Sequence, residues 1–441
     1  MPPMQVSVHG TGYLGATHAA CLASWGHQVR AIDLDAAKIR LLATGRAPFH
    51  EPSLDALLSE GVRSGRLRFS TDPGDAADCD VHFLCVGTPQ RPGGDEADLS
   101  WLLQAVDTLA PLLDRPSLVV GKSTVPVGTA VQLRDRLRRA APAGNAVDVA
   151  WNPEFLREGH AVVDSVRPER LVLGVDDDHA YETLRELYRE PLSAGVPVVR
   201  TDLPTAELAK VAANVMLASR LSVLNVLAQV CEASGADVGG LVTILGTDSR
   251  IGARFLEPGL GYGGGCLPKD TRAFVARAAE LGVGGPAELV RQVDVVNSWQ
   301  RTRSFDQAAQ MLGGTVAGAS VTVLGAAFKA GSDDIRDSPA LDVAVRLQQA
   351  GADVRVCDPR AIDNARRAFP QLGYADDVVA ACTGADLVAV LTDWDEFRGL
   401  DPVSLAQVVA TPRVLDGRLV LDADKWRRAG WHFRALGRAA D

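Results

Sequence analysis

Short apolar runs recur along the first two hundred residues: QVSVHG (5–10), QVRAID (28–33), VHFLCV (81–86), SLVVGKST (117–124), VDVAWN (147–152) and RLVLGV (170–175). The stretches between them carry apolar positions at helical spacing. Strands that read as near-continuous apolar runs are buried on both faces, so this alternation predicts a parallel sheet covered on each side by helices. From about residue 203 the pattern changes: Pro204 to Ala233 and roughly Gly285 to Leu312 read as long helices, with a glycine-rich stretch at 259–265 between them. After Gly313 and Gly314 the alternation returns with VTVLGAAF (321–328), DVRVCD (353–358) and LVAVLT (387–392). The expected fold class is α/β: two Rossmann-like doubly wound domains, 1–202 and 315–441, joined by a central all-helical region, 203–314. The two α/β parts echo one another, each a strand–turn–helix–strand unit ending in an acid, Asp33 or Asp358.

Length supports this division, because 441 residues exceed what one core usually serves. A formal charge of −10 argues against a surface built for nucleic acid or anionic lipid, so any phosphate must be held locally. The seven cysteines form no CxxC pair and no metal-ligand spacing, which reads as free thiols in a reducing cytoplasm and no metal. The amino-terminal MPPMQVSVHG lacks a basic leader, and no run of 18 uncharged apolar residues occurs, so neither export nor membrane insertion is expected. Only six lysines stand among 45 basic residues, at 38, 122, 210, 269, 329 and 425. Where arginine serves as the general cation, retained lysines draw attention, since a compact ammonium is the more readily tuned.

Gly10-Thr11-Gly12-Tyr13-Leu14-Gly15 follows a strand and opens a helix, with Asp33 at the tip of the next strand. The glycines permit a tight turn, close approach to a pyrophosphate and helix–strand packing, and the helix amino end supplies N–H donors. A carboxylate at 33 accepts from ribose hydroxyls and repels a 2′-phosphate, favouring NAD over NADP; Lys38, one turn into the next helix, offsets part of that repulsion. Gly261-Tyr262-Gly263-Gly264-Gly265-Cys266-Leu267-Pro268-Lys269-Asp270 is the most specific stretch: glycines let the backbone wrap a ligand, Lys269 can stabilise a thiolate and Asp270 can position a proton or water. Lys210 and Asn214 share a helix face four residues apart and could hold a developing oxyanion. Glu154 and Glu158 of NPEFLREG (152–159) lie just beyond a strand end, where open α/β sheets bind ligands, and Thr124 ends the preceding strand. In the last domain Phe328-Lys329 and DDIRDSP (333–339) stand where the first domain has its glycine fingerprint.

Taken together, GTGYLG, PFHEPSLDALL, CVGTPQ, STVPVGT, NPEFLREG, ELAKVAANV, RIG, GYGGGCLPKD, FKAGSDDIRDSP and LTDWDEF occur in the order found in the UDP-glucose/GDP-mannose dehydrogenase family, which the chain resembles over nearly its whole length. The resemblance implies a four-electron oxidation of a sugar C6 alcohol to a carboxylate with two NAD, through a thiohemiacetal and a thioester on Cys266. It implies that Lys210 and Asn214 hold the C6 oxygen, that Asp270 organises base and water, that Thr124 positions a water, and that Glu154 is the acid/base of thioester hydrolysis. Gly10, Gly12, Tyr13, Leu14, Gly15, Asp33, Lys38, Thr88, Thr124, Glu158, Lys269 and Arg336 would serve NAD. Glu154, Phe155, Leu156, Lys210, Asn214, Arg250, Phe255, Gly259, Gly263, Phe328, Lys329 and Arg418 would serve the sugar nucleotide. A homodimer through the central helices is implied, with Arg250 reaching a neighbouring subunit's site. Leu267, Gly265 and the GSDDIRD segment depart from commoner residues of the family, yet no chemical group is lost. RIG and FLEPGLGYGG favour UDP-glucose over GDP-mannose or another nucleotide sugar.

Two rival readings stand against this one. A two-electron β-hydroxyacid-type dehydrogenase would share the Rossmann domain and the Lys-x-x-x-Asn helix, but needs neither Cys266 nor a third domain. A silent NAD-binding scaffold would have no use for the full set of Cys266, Lys210, Asn214 and Asp270.

Overall fold

The computed structural model describes residues 3–439, which form two compact units. One comprises the chain up to Ala213 together with Ala276–Leu281; the other comprises Asn214–Val275 and the chain from Gly282 onward.

The first unit is built on eight strands: β1 (Gln5–His9), β2 (Gln28–Ile32), β3 (Leu67–Ser70), β4 (Val81–Leu84), β5 (Ser117–Gly121), β6 (Val147–Trp151), β7 (Leu171–Val175) and β8 (Val198–Thr201). They lie in the order β3-β2-β1-β4-β5-β6-β7-β8. Val6, Ser7 and Val8 of β1 are wholly buried, as a strand covered on both faces must be. The order reverses between β1 and β4, and the crevice beyond their carboxyl ends is where such sheets take ligands. One pairing departs from the parallel sheet expected: β6 and β7 run antiparallel, with Ala150 opposite Val175. A parallel return needs a long crossover. The β6–β7 connection instead spends its length on the NPEFLREG loop and the six-residue helix Ala161–Val166.

The second unit carries six strands, β9 (Ser320–Leu324), β10 (Asp353–Cys357), β11 (Gly373–Tyr374), β12 (Leu387–Val390), β13 (Arg413–Asp416) and β14 (His432–Ala435). Their order, β11-β10-β9-β12-β13-β14, repeats that of the first six strands of the other sheet, and every pairing is parallel. Its core joins Val321 and Val323 of β9 to Val388, Val414, Phe397 and Trp426. Strand β9 stops at Leu324 rather than running to 328, because Gly325 takes a φ of +125° and turns the chain.

Between residues 202 and 314 the described elements are all helices: Leu203–Ser234, Val238–Thr247, Leu267–Glu280 and Gly284–Met311. Leu203–Ser234 is long and apolar enough to cross a membrane by length and composition. It also buries Glu207, Lys210 and Asn214, each with a partner in the fold, which suits a core helix.

Candidate active site

At the β1–helix turn, Gly10 holds a φ of +88°, and a Cβ there would meet the Val86 backbone at 2.9 Å. A Cβ at Gly15 would strike the Gly10 carbonyl, whereas one at Gly12 would meet nothing within 4 Å. Gly10 therefore makes the turn, Gly15 packs helix on strand, and Gly12 leaves its backbone open to an anion. No side chain caps the helix Tyr13–Ser24 at Gly12, so its amino end remains available to a pyrophosphate. These residues fit a dinucleotide.

Asp33 accepts from the Thr11 amide at 2.7 Å, the Thr11 hydroxyl at 3.0 Å, the Asp35 amide at 3.0 Å and Lys38 Nζ at 2.9 Å. Burial pushes its carboxyl up, but these donors outweigh burial and hold it below the ordinary range, so the charge that disfavours a 2′-phosphate is secure. Lys38 thus spends its ammonium on Asp33 itself. The Tyr13 hydroxyl donates to Glu51, and the Gly159 amide approaches both groups, at 2.7 Å and 2.8 Å. Glu51 of the PFHEPSLDALL motif was given no role from sequence; it latches the glycine loop to the NPEFLREG loop, and with it Leu14's helix to Glu158's turn. On the facing strand ends Thr88 donates to the Thr124 carbonyl at 2.7 Å.

Lys210 and Glu154 form a largely buried ion pair, Nζ to Oε1 at 3.0 Å. The other Glu154 oxygen accepts from the Leu156 amide at 2.7 Å, and the Lys210 ammonium faces the Phe155 ring at 5.8 Å. The sequence thus placed the lysine and the NPEFLREG carboxylate in one site without foreseeing their contact. Within reach of their charges, Lys122 donates to Asn152 Oδ1 at 2.7 Å, an oxygen that also accepts from the Tyr188 hydroxyl at 2.6 Å. Burial pulls the Lys122 ammonium down to about 8.

In the second unit Cys266 is exposed and stands immediately before the helix Leu267–Glu280; the other six cysteines are buried. Asp270, 2 % exposed, accepts from Asn214 Nδ2 at 2.6 Å on one oxygen and from Lys269 Nζ at 2.5 Å on the other. The loop leading to the thiol is held by buried amides. Asn225 accepts from the Gly259 amide at 2.8 Å, and Asn297 exchanges hydrogen bonds with Tyr262 at 2.8 Å and 3.0 Å. Sequence reasoning missed both; for Asn297 the signal was a polar stripe at helical spacing, Asn297, Gln300, Arg301 and Ser304, on the buried face of Gly284–Met311.

Gly263, Gly264 and Gly265 abut the segment after β9, while Gly261 abuts Asn297. A Cβ at Gly263 would strike Asp337, one at Gly264 would meet the Phe328 ring at 2.8 Å, and one at Gly265 would strike the Arg336 guanidinium. Gly259 is pressed in the same way on the Gly417 carbonyl. Arg418 donates to the carbonyls of Gly261 at 2.9 Å, Leu391 at 3.0 Å and Phe328 at 3.4 Å, tying the cysteine loop to this segment. Lys329 Nζ lies 5.5 Å from the Phe328 ring centre, and Arg336 pairs with Asp334. Arg250 sits apart from this cluster: its side chain is 87 % exposed and paired with Asp248. Phe255, nearby in sequence, adopts a left-handed φ of 62°.

A glycine turn at the switch point with an ionised acid on the next strand, in a chain that also presents a glycine-wrapped thiol, defines an NAD-dependent dehydrogenase. Family sequence models agree over three segments: the NAD binding domain of the UDP-glucose/GDP-mannose dehydrogenase family at residues 4–192, its central domain at 204–299 and its UDP binding domain at 322–423. The chain belongs to the UDP-glucose/GDP-mannose dehydrogenase family. It is 40% identical over 438 residues to a UDP-glucose 6-dehydrogenase of Rhizobium meliloti, covering 99% of this chain and 100% of that one. A UDP-glucose dehydrogenase structure from Pyrobaculum islandicum superposes with a TM-score of 0.91 at 34% identity, covering 99% and 98% of the two chains. A UDP-D-ManNAc dehydrogenase from Pyrococcus horikoshii follows at 0.87 and 28%, covering 99% of each chain.

Proposed function

We propose that this enzyme oxidises the C6 alcohol of UDP-glucose to the carboxylate of UDP-glucuronate, with Cys266 as covalent nucleophile. The observation that carries the reading is the exposed Cys266 at the head of a helix whose Asp270 is held by Asn214 and Lys269. NAD supplies the hydride acceptor for each of two two-electron oxidations. Lys210 holds the C6 oxygen through the anionic steps, its ammonium fixed by Glu154, and Asn214 does the same one helical turn on. Cys266 Sγ adds to the C6 aldehyde to form a thiohemiacetal, which is oxidised to a thioester; helix amino ends favour the negative charge of a thiolate. Water then adds to the thioester carbonyl, the C–S bond breaks, and the proton passes to Cys266. Glu154 is the acid/base of that hydrolysis, Asp270 and Thr124 order the water, and Glu158 would face the nicotinamide of bound NAD.

The labour divides by region: 1–202 for NAD, 203–314 for the thiol loop and subunit contact, 315–441 for the UDP moiety. Lys329, Phe328 and Arg418 serve the sugar nucleotide together with Phe255, Gly259 and Gly263, and Arg336 serves NAD. A homodimer is supported by Met216, Val223 and Val230, 65%, 58% and 57% exposed at seven-residue spacing on one helix. Arg250 would then serve the neighbouring subunit. Seven cysteines, none of them in a disulfide, support a reducing, cytoplasmic setting.

A second reading, in which the sugar is an N-acetylhexosamine, draws on the Pyrococcus relative. Incubation with NAD and, separately, UDP-glucose, GDP-mannose and UDP-N-acetylhexosamines decides the substrate. UDP-glucose is expected to give the highest kcat/KM; a higher value for another sugar nucleotide replaces it.

A further inference from the structure

Glu207 stands one turn before Lys210 on the helix Leu203–Ser234 and is 1 % exposed. Its two oxygens reach outward from that helix to a different segment. Oε2 accepts the Gly128 amide at 2.7 Å and Oε1 the Ala130 amide at 2.5 Å. Arg277 grips the same segment, donating to the Val127 carbonyl through Nε at 3.1 Å and Nη2 at 2.8 Å. Gly128 is left-handed, with a φ of 95°, and a Cβ there would meet Arg277 Nη2 at 3.3 Å. Gly128 is also the N-cap of the helix Thr129–Ala140 and has no side chain to cap it, so a carboxylate from another helix does so. The segment gripped in this way continues back to Thr124, whose carbonyl is itself held by Thr88.

We propose that Glu207 is a positioning residue, bracketing the Thr124 segment with Arg277 so that Thr124 is held at a fixed place relative to the helix that carries Lys210. The proposal rests on the reading of Thr124 and Lys210 as groups of the oxidation. Both carboxylate oxygens are used, so the bracket is complete only when Glu207 is ionised. Protonation turns one acceptor into a donor and leaves the Gly128 or Ala130 amide unmatched. Burial lifts this carboxyl to about 7, with Arg277 the charged group that opposes the rise. The bracket is therefore intact above about pH 7 and loosens below it.

The test compares wild type with Glu207→Gln and Glu207→Asp between about pH 6 and 9, with saturating NAD and varied UDP-glucose, alongside thermal unfolding. Glutamine keeps one acceptor and cannot ionise. The expected result is a kcat about tenfold lower at pH 8 with the KM for UDP-glucose within about twofold, because misplacement of a catalytic group acts on turnover. The limb of the wild-type profile near pH 7 should vanish in Glu207→Gln and persist in Glu207→Asp. A wild-type kcat with the same limb in Glu207→Gln overturns the proposal, as does a loss that matches the fall in folded enzyme with no change in profile. Should Glu207→Gln not fold, a Glu207→Asp profile without the limb overturns it. Failure of wild type to release NADH with UDP-glucose overturns the functional reading instead.

Discussion

Lys122→Met removes a buried ammonium close enough to the Lys210–Glu154 pair to feel both charges, and its effect on stability should reverse with pH. Lys122 sits one residue past β5, 7 % exposed. Burial lowers its ammonium from 10.5 to about 8, and that difference of about 2.5 pH units corresponds to about 3 kcal/mol. The native state resists protonation while the unfolded chain takes the proton at 10.5, so stability present above 10.5 is lost progressively as pH falls to about 8 and stays lost below. Methionine has nearly the same length and no charge, so it removes this cost. It also strips Asn152 Oδ1 of its charged donor, leaving the Tyr188 hydroxyl, a loss of about 1.5–3 kcal/mol. Near pH 7 the two effects oppose one another, and the variant should lie within about 2 kcal/mol of wild type. Towards pH 10.5 the variant should fall behind by about 3 kcal/mol more, or about 6–12 °C in Tm for a unit of this size. Scanning calorimetry of both proteins at matched pH values measures this difference. Parallel curves, with a constant Tm gap from pH 7 to 10.5, would refute a neutral-leaning buried Lys122.

On the acid side, His9 and His82 flank the Ser7 hydroxyl inside the first sheet, and burial holds them at about 4 and about 3. The unfolded chain gains protons below about 6.5 while these imidazoles do not, so stability should drop between pH 6.5 and about 4; His82→Gln should shrink that fall in Tm, and an unchanged fall counts against the two histidines. Asp33→Asn keeps the shape of the Thr11 contacts but loses the charge, so the ratio of kcat/KM for NAD over NADP should narrow by about tenfold or more; an unaltered ratio takes Asp33 out of cofactor choice. Brief alkylation of the native enzyme should label Cys266 first, because Cys21, Cys85, Cys357 and Cys382 are buried with thiols pushed up to about 12, and bound UDP-glucose should protect it. Peptide mass spectrometry that finds another cysteine labelled sooner contradicts this.

Much of the fold was legible because β1, β4, β5 and β9 are buried on both faces and so appear as apolar runs. The edge strands were not. β3 (LRFS) and β8 (VVRT) are short, partly exposed and carry arginine, which removes the apolar signal. The antiparallel β6–β7 pair was equally hidden, since direction depends on a connection whose length is taken up by a binding-type loop. In the site, spacing alone put Lys210 and Asn214 on one face and set Cys266 among glycines. Contacts between distant segments, such as Glu207 with Gly128 or Asn297 with Tyr262, come from tertiary packing, and no local pattern encodes them. The glycines were read as freedom to wrap a ligand, and part of their role proved to be the opposite: Gly263, Gly264 and Gly265 are small because Asp337, Phe328 and Arg336 press against them.

The central claim is that Cys266 carries the second oxidation, and the most direct test is to count NADH released per UDP-glucose consumed by wild type and by Cys266→Ala. Wild type should release two NADH and UDP-glucuronate. Cys266→Ala should bind NAD and UDP-glucose nearly as before, since the glycine loop, Lys210 and Asn214 remain, yet yield no net uronate. Two NADH per sugar from Cys266→Ala at a rate near wild type would contradict a thioester at this position.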